Sequence, residues 1–140
     1  MSNKVVTHWK GNLQFESDNP SGNLLTMDAS TENGGYNSGL SPKAMMLSSL
    51  AGCSGLDVVS ILKKMKVPFS DFRMDTYGEL TSEHPKYYHK VSVEYHFYGN
   101  ELDEKKIEKA VNMSIDTYCG VMEMFRRFAE VSTSIYYHNS

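Results

Sequence analysis

The segment between Ser41 and Pro68 constrains this chain more than any other, because it reads as one long helix that is apolar on more than one side. Ser41 is a helix-capping residue, and Pro42 suits a first helical position, where proline's missing N–H costs nothing. Leu47, Leu50, Ala51, Ser54, Val58, Ile61, Leu62 and Met65 form a small or apolar stripe at helical spacing. Met46, Ser49, Cys53, Leu56 and Ser60 form an adjacent one, so the spacing predicts a helix covered on most sides. Lys63, Lys64 and Lys66 fall in the last turn, where the helix dipole favours cations, and Pro68 ends the pattern. Asp57, four serines and two glycines between Ala44 and Leu62 make the segment too polar for a bilayer span and better suited to a protein core.

The flanking segments alternate. A strand ending at Trp9, the turn Lys10-Gly11-Asn12 and a strand from Leu13 to Phe15 read as a hairpin. Pro20 to Asn23 make a second turn, and Leu24 to Ala29 a third strand. Asn33-Gly34-Gly35 and Asn37 to Gly39 read as a flexible loop into the helix. Beyond Pro68, Phe72, Met74 and Thr76 alternate with Arg73, Asp75 and Tyr77. Val91, Val93, Tyr95 and Phe97 then alternate with Ser92, Glu94, His96 and Tyr98, the period of strands with one buried face. Asp103 caps a helix with Ile107, Ala110, Val111, Ser114 and Tyr118 facing inward. Gly120 interrupts it, and a short helix follows with Val121, Met124, Phe125 and Phe128 on one face. Val131 to Tyr137 is a last strand. The order β-β-β-α-β-β-α-α-β predicts an α+β fold with mostly antiparallel pairing, in a single domain over residues 1–140.

Composition narrows the function classes. The apolar fraction of 40 % supports a packed core, and a net charge of -3 with no basic run argues against a nucleic-acid partner. The opening MSNKVVTHWKGN lacks the apolar region of a secretory signal, so the expected setting is the cytoplasm, with no membrane partner. Two cysteines, Cys53 and Cys119, in a reducing compartment read by default as small buried hydrophobes rather than a structural disulfide. His8, His84, His89, His96 and His138 lack the spacing of a zinc motif, so they read as exposed strand and loop residues, and no metal or cofactor is expected. Met45, Met46, Met65, Met122 and Met124 flank the two cysteine helices as core filling or as an adaptable pocket for an organic ligand. Asp57, one turn past Cys53, either orients a neighbour or accepts hydrogen bonds as a structural acid.

The stretch from Gly39 to Lys64, with Pro42 upstream of an Ala51-Gly52-Cys53 triplet, resembles the central helix of the osmotically-inducible-protein-C and organic-hydroperoxide-resistance family. Tyr118-Cys119-Gly120-Val121 stands where that family places its second cysteine, and the order of elements agrees along essentially the whole chain. The resemblance implies a mostly antiparallel sheet wrapped around the long central helix, in an intertwined homodimer with two sites at the interface. It also implies that Cys53 attacks an organic hydroperoxide, that Cys119 resolves the product to a disulfide, and that an external dithiol reduces that disulfide. The chemistry requires a thiolate and, nearby, a second thiol that prevents overoxidation.

The chain departs from the peroxidase pattern in its charges. Cys53 lies about 16 Å along the helix from Pro42, beyond the reach of the helix N-terminus. Hydroperoxide-reducing relatives place an arginine from the N-terminal region beside the thiol and hold it with a glutamate just after the proline. Here the arginines are Arg73, Arg126 and Arg127, the N-terminal cations are Lys4 and Lys10, and Pro42 is followed by Lys43 and Ala44. Arg126 and Arg127 read as a solvated pair answering Glu123 and Glu130. Two functions therefore stand side by side: thiol-dependent reduction of organic hydroperoxides, and small-molecule binding on the same scaffold with little or no catalysis.

Overall fold

A computed structural model describes residues 1–139, and its contacts fall into two compact units, residues 1–46 and the remainder of the described chain from Leu47. The first unit holds an antiparallel meander of β1 (Thr7–Gly11), β2 (Gln14–Ser17) and β3 (Leu25–Met27). Gly11 and Asn12 turn the first hairpin at φ 107° and 46°, the left-handed region that favours glycine and asparagine. The segment after β3, predicted as a flexible loop, is pinned from within. The carboxylate of buried Asp28 accepts the N–H groups of Ala29, Tyr36 and Ser38 and the Ser38 hydroxyl, at 2.6–3.2 Å. These bonds, led by the Ser38 hydroxyl, hold its carboxyl below the usual range. Gly35 and Gly39 serve close backbone approach here. A Cβ on either would stand 2.1 Å from the Ala29 carbonyl oxygen or 2.5 Å from that of Thr26.

Helix α1 (Pro42–Lys64) begins at the predicted proline and crosses the boundary between the units. It ends at Lys64, three residues before Val67 and earlier than Pro68 requires. Lys66 takes φ 59°, its N–H bonds the Lys63 carbonyl at 3.1 Å, and the Val67 N–H bonds the Leu62 carbonyl at 3.0 Å. This is the paired terminal bonding of a Schellman cap, with Val67 and Leu62 both in the core.

The second unit is a three-stranded sheet in the order β4 (Asp71–Leu80), β5 (Tyr88–Gly99), β6 (Glu130–Asn139). β4 and β5 are antiparallel, while β6 runs parallel to β5, the one departure from antiparallel pairing in the two sheets. A parallel partner needs a crossover. It is supplied by α2 (Glu104–Met113), a π-helical turn (Ser114–Tyr118) and α3 (Gly120–Arg126). One face of β5, comprising Val91, Val93, Tyr95 and Phe97, is buried together with Leu50, Val58 and Leu62 of α1 and Ile107, Ala110 and Val111 of α2. Each fully buried aliphatic side chain there contributes about 1.5–3 kcal/mol. Phe72 stacks on its cross-strand partner Phe97 with centroids 4.4 Å apart.

Four predicted faces need correction. Only the line Leu50, Ser54, Val58 and Leu62 of α1 is fully buried. Leu56 is 76 % exposed and Met46 is open, so within one chain the second stripe is uncovered apart from half-buried Cys53. By length and composition alone α1 could cross a membrane, with a mean hydropathy of 1.6 over its best window, contrary to the polarity argued from its serines. Tyr118 points outward at 58 % exposure because the wider π turn rotates it off the α2 face. In α3 the buried residues are Met122 and Phe125, with Met124 exposed, since a helix starting at Gly120 turns a different face inward. His96, predicted exposed, is 8 % exposed beneath neighbours from the adjoining strands.

Candidate functional site

Cys53 and Cys119 meet. Cys53 projects half-buried from the middle of α1, and Cys119 is buried at the start of α3. Both thiols are free, and they lie close enough that Cys53 is among the groups that raise the Cys119 thiol.

The local backbone explains how Cys119 gets there. The π turn closes with the Cys119 N–H on the Ser114 carbonyl at 2.9 Å, and Cys119 then leaves helical geometry at φ -79°, ψ 100°. From that extended position its Sγ accepts the Met122 N–H at 3.3 Å and caps α3. Burial pushes the Cys119 thiol up to about 11, against the opposing pull of the Met122 N–H. Nearby Cys53 and Asp57 add to the rise. Cys119 is therefore protonated at neutral pH.

A chain of buried hydroxyls lies beneath the pair. Tyr95 Oη is 2.7 Å from Ser54 Oγ, Ser54 Oγ is 2.8 Å from Ser114 Oγ, and Ser114 Oγ donates to Asp57 Oδ2 at 3.0 Å. A carboxylate only accepts, so the chain is ordered from Tyr95 through Ser54 and Ser114 to Asp57. Burial, partly offset by the Ser54 bond, pushes Tyr95 up to about 12. Of the two readings of Asp57, the hydrogen-bond acceptor is the one observed, and it ties α1 to the turn that carries Cys119. Sequence reasoning placed Ser54 and Ser114 on inner helix faces without asking what satisfies their hydroxyls. A serine at a core position of each of two helices was the available signal.

One turn beyond Cys53 a cleft of about 470 Å³ opens, lined by Asp57, Ser60, Ile61, Lys64, Met113 and Tyr118 among others. Its walls are mostly apolar, with an ammonium and a carboxylate at hand. The arginines are engaged elsewhere. Arg73 pairs with Asp75, Arg126 donates to the Ile115 carbonyl and Glu123, and Arg127 pairs with Glu123. Glu123 is thus the shared partner of the pair that sequence assigned to Glu123 and Glu130.

Comparison with known proteins follows the same lines. A sequence model for the family described as OsmC-like protein matches residues 35–134, which include both cysteines. The Escherichia coli protein YhfA is 29 % identical over 126 residues, 90 % of this chain and 91 % of that protein. A hypothetical protein from Aquifex aeolicus superposes with a TM-score of 0.86 at 28 % identity, covering 100 % of this chain and 98 % of its own. An organic hydroperoxide resistance protein from Legionella pneumophila, at 17 % identity, shares the fold with a TM-score of 0.69 over 97 % of each chain.

Proposed function

Because the chain belongs to the OsmC-like protein family, we propose that it reduces organic hydroperoxides, with Cys53 as nucleophile and Cys119 as resolving thiol. The observation that carries this reading is the proximity of two free thiols supplied by separate helices. The fold shared with a hydroperoxide resistance protein supports it.

The steps follow from the asymmetry of the pair. The Cys53 thiolate attacks the outer peroxide oxygen, the S–O bond forms as the O–O bond breaks, and the alkoxide leaves as the alcohol after taking a proton. Cys53 is then a sulfenic acid, oxidised by two electrons. Cys119 attacks its sulfur, and the disulfide forms with loss of water. An external dithiol restores both thiols by exchange. The cleft beside Asp57 holds the organic part of the peroxide. Free thiols of this kind belong in the reducing cytoplasm.

The working unit is a homodimer. The uncovered stripe of α1, with Leu56 76 % exposed, is an apolar surface of the kind that a second copy of the chain buries.

One observation favours the second reading, ligand binding with little catalysis. The charge acting on the Cys119 end of the pair is the Asp57 carboxylate, and every arginine among the described residues answers a carboxylate away from it. Turnover separates the two. Cumene hydroperoxide should be consumed catalytically in the presence of excess dithiothreitol, and Cys53→Ser should reduce the rate to that of dithiothreitol alone. Equal rates for the wild type and Cys53→Ser would leave only the binding protein.

A further inference from the structure

On the face of the β4–β5–β6 sheet turned away from its core, Asp75 and Glu94 stand directly opposite one another as cross-strand partners. Like charges placed so are destabilising, and Glu94 stands on the central strand β5, where it cannot swing out past a sheet edge. Both are less than one-third exposed. Between them sits His96, its Nε2 3.0 Å from Glu94 Oε1 and 3.6 Å from Asp75 Oδ2. We propose that Asp75, Glu94 and His96 bind a divalent transition-metal ion.

The geometry fits three ligands to one ion. The candidate ligand atoms all lie within 4.8 Å of one another. The two distances from Nε2 bracket the separation of about 3.4 Å between ligands in a tetrahedral zinc site. Closing the remaining gap takes a small rotation of the two carboxylates, which are the more exposed members. An imidazole with two carboxylates suits zinc, manganese or iron in the +2 state and leaves a position for water.

The surroundings are those of a metal-bound imidazole. His96 Nδ1 lies 2.9 Å from His138 Nε2. With the metal on Nε2, the His96 proton resides on Nδ1 and is donated to His138, an outer partner that fixes tautomer and orientation. The His96 ring is clamped by Tyr136, with centroids 4.8 Å apart, and by His138 at 5.1 Å. Arg73 is the competitor. Its guanidinium holds Asp75 through Nε–Oδ1 at 3.0 Å and Nη2–Oδ2 at 3.1 Å, so it answers one of the two charges until an ion displaces it from Oδ2. None of this depends on the cysteine chemistry.

The test is calorimetric titration of zinc sulfate into the full chain carrying Cys53→Ser and Cys119→Ser, so that no thiolate competes. Saturable binding of one equivalent is expected. Glu94→Gln, at a half-buried position that leaves the sheet intact, should weaken it by at least tenfold, and His138→Ala by on the order of tenfold. Arg73→Met should tighten it by freeing Asp75. The proposal is overturned if zinc shows no saturable binding up to millimolar concentration, if Glu94→Gln binds as well as its parent, or if Arg73→Met binds more weakly.

Discussion

The Cys119 thiol is buried beside a half-buried Cys53, and this difference in burial makes two chemically identical side chains unequal. Burial keeps Cys119 protonated at neutral pH, while Cys53 stays partly open on α1, one turn from the cleft beside Asp57.

That inequality predicts a pH dependence of stability. The folded-state value of Cys119, about 11, lies above its ordinary 9.0, so folding favours the protonated thiol. Its contribution is complete below pH 9 and is lost as pH rises through 11. Urea unfolding of the wild type should therefore show a loss of stability across this window beyond that of Cys119→Ala, measured as the difference between the two proteins. Parallel curves would contradict it.

The hydroxyl chain beneath the cysteines should be costly to interrupt. Ser114→Ala removes the donor to Asp57 and leaves the Ser54 and Tyr95 hydroxyls short of a terminal acceptor. We expect a loss of about 1–3 kcal/mol in denaturant unfolding, the usual effect of stranding buried polar groups. Because Asp57 also links α1 to the π turn, the same variant should slow disulfide formation between Cys53 and Cys119.

Asp28 is predicted to hold the loop between β3 and α1. Its carboxyl is kept below the usual value of 3.8 by the Ser38 hydroxyl and three N–H groups, so its stabilising effect is present above that value. It disappears as pH falls through the lower folded-state value. Asp28→Asn should speed amide hydrogen exchange at Tyr36 and Ser38 at neutral pH. Unchanged exchange there would refute the assignment.

The open stripe of α1 predicts self-association. Leu56→Glu places a charge on an exposed position, so the chain should still fold, while dimer dissociation should become easier by on the order of thirtyfold. Sedimentation velocity over a concentration series measures this directly. A wild-type chain that remains monomeric at high concentration would contradict the homodimer.

Local chemistry made much of the fold legible. Pro42, Asp103 and the Gly11-Asn12 turn mark element starts that depend only on neighbouring residues, and the alternation in β4 and β5 shows which face is buried. What failed was decided by longer-range geometry. No periodicity announces that Ser114 to Tyr118 widen into a π turn, so Tyr118 was placed on the wrong face. The glycine-rich loop looked flexible because the acid that orders it, Asp28, lies before it in sequence and binds residues 36 and 38. Resemblance supplied the pairing of Cys53 with Cys119, whereas spacing could not have done so. The grouping of Asp75, Glu94 and His96 was illegible because two strands must come into register before those side chains become neighbours.

The central claim is that the two thiols act as one redox pair, and a single-turnover experiment tests it most directly. Reduced protein is mixed with one equivalent of cumene hydroperoxide, quenched with a thiol-blocking reagent and digested for mass spectrometry. The account predicts rapid loss of both free thiols with recovery of a Cys53–Cys119 linked peptide, and, in Cys119→Ser, accumulation of a sulfenic acid at Cys53. Thiols that persist, or that oxidise no faster than free cysteine, would contradict it.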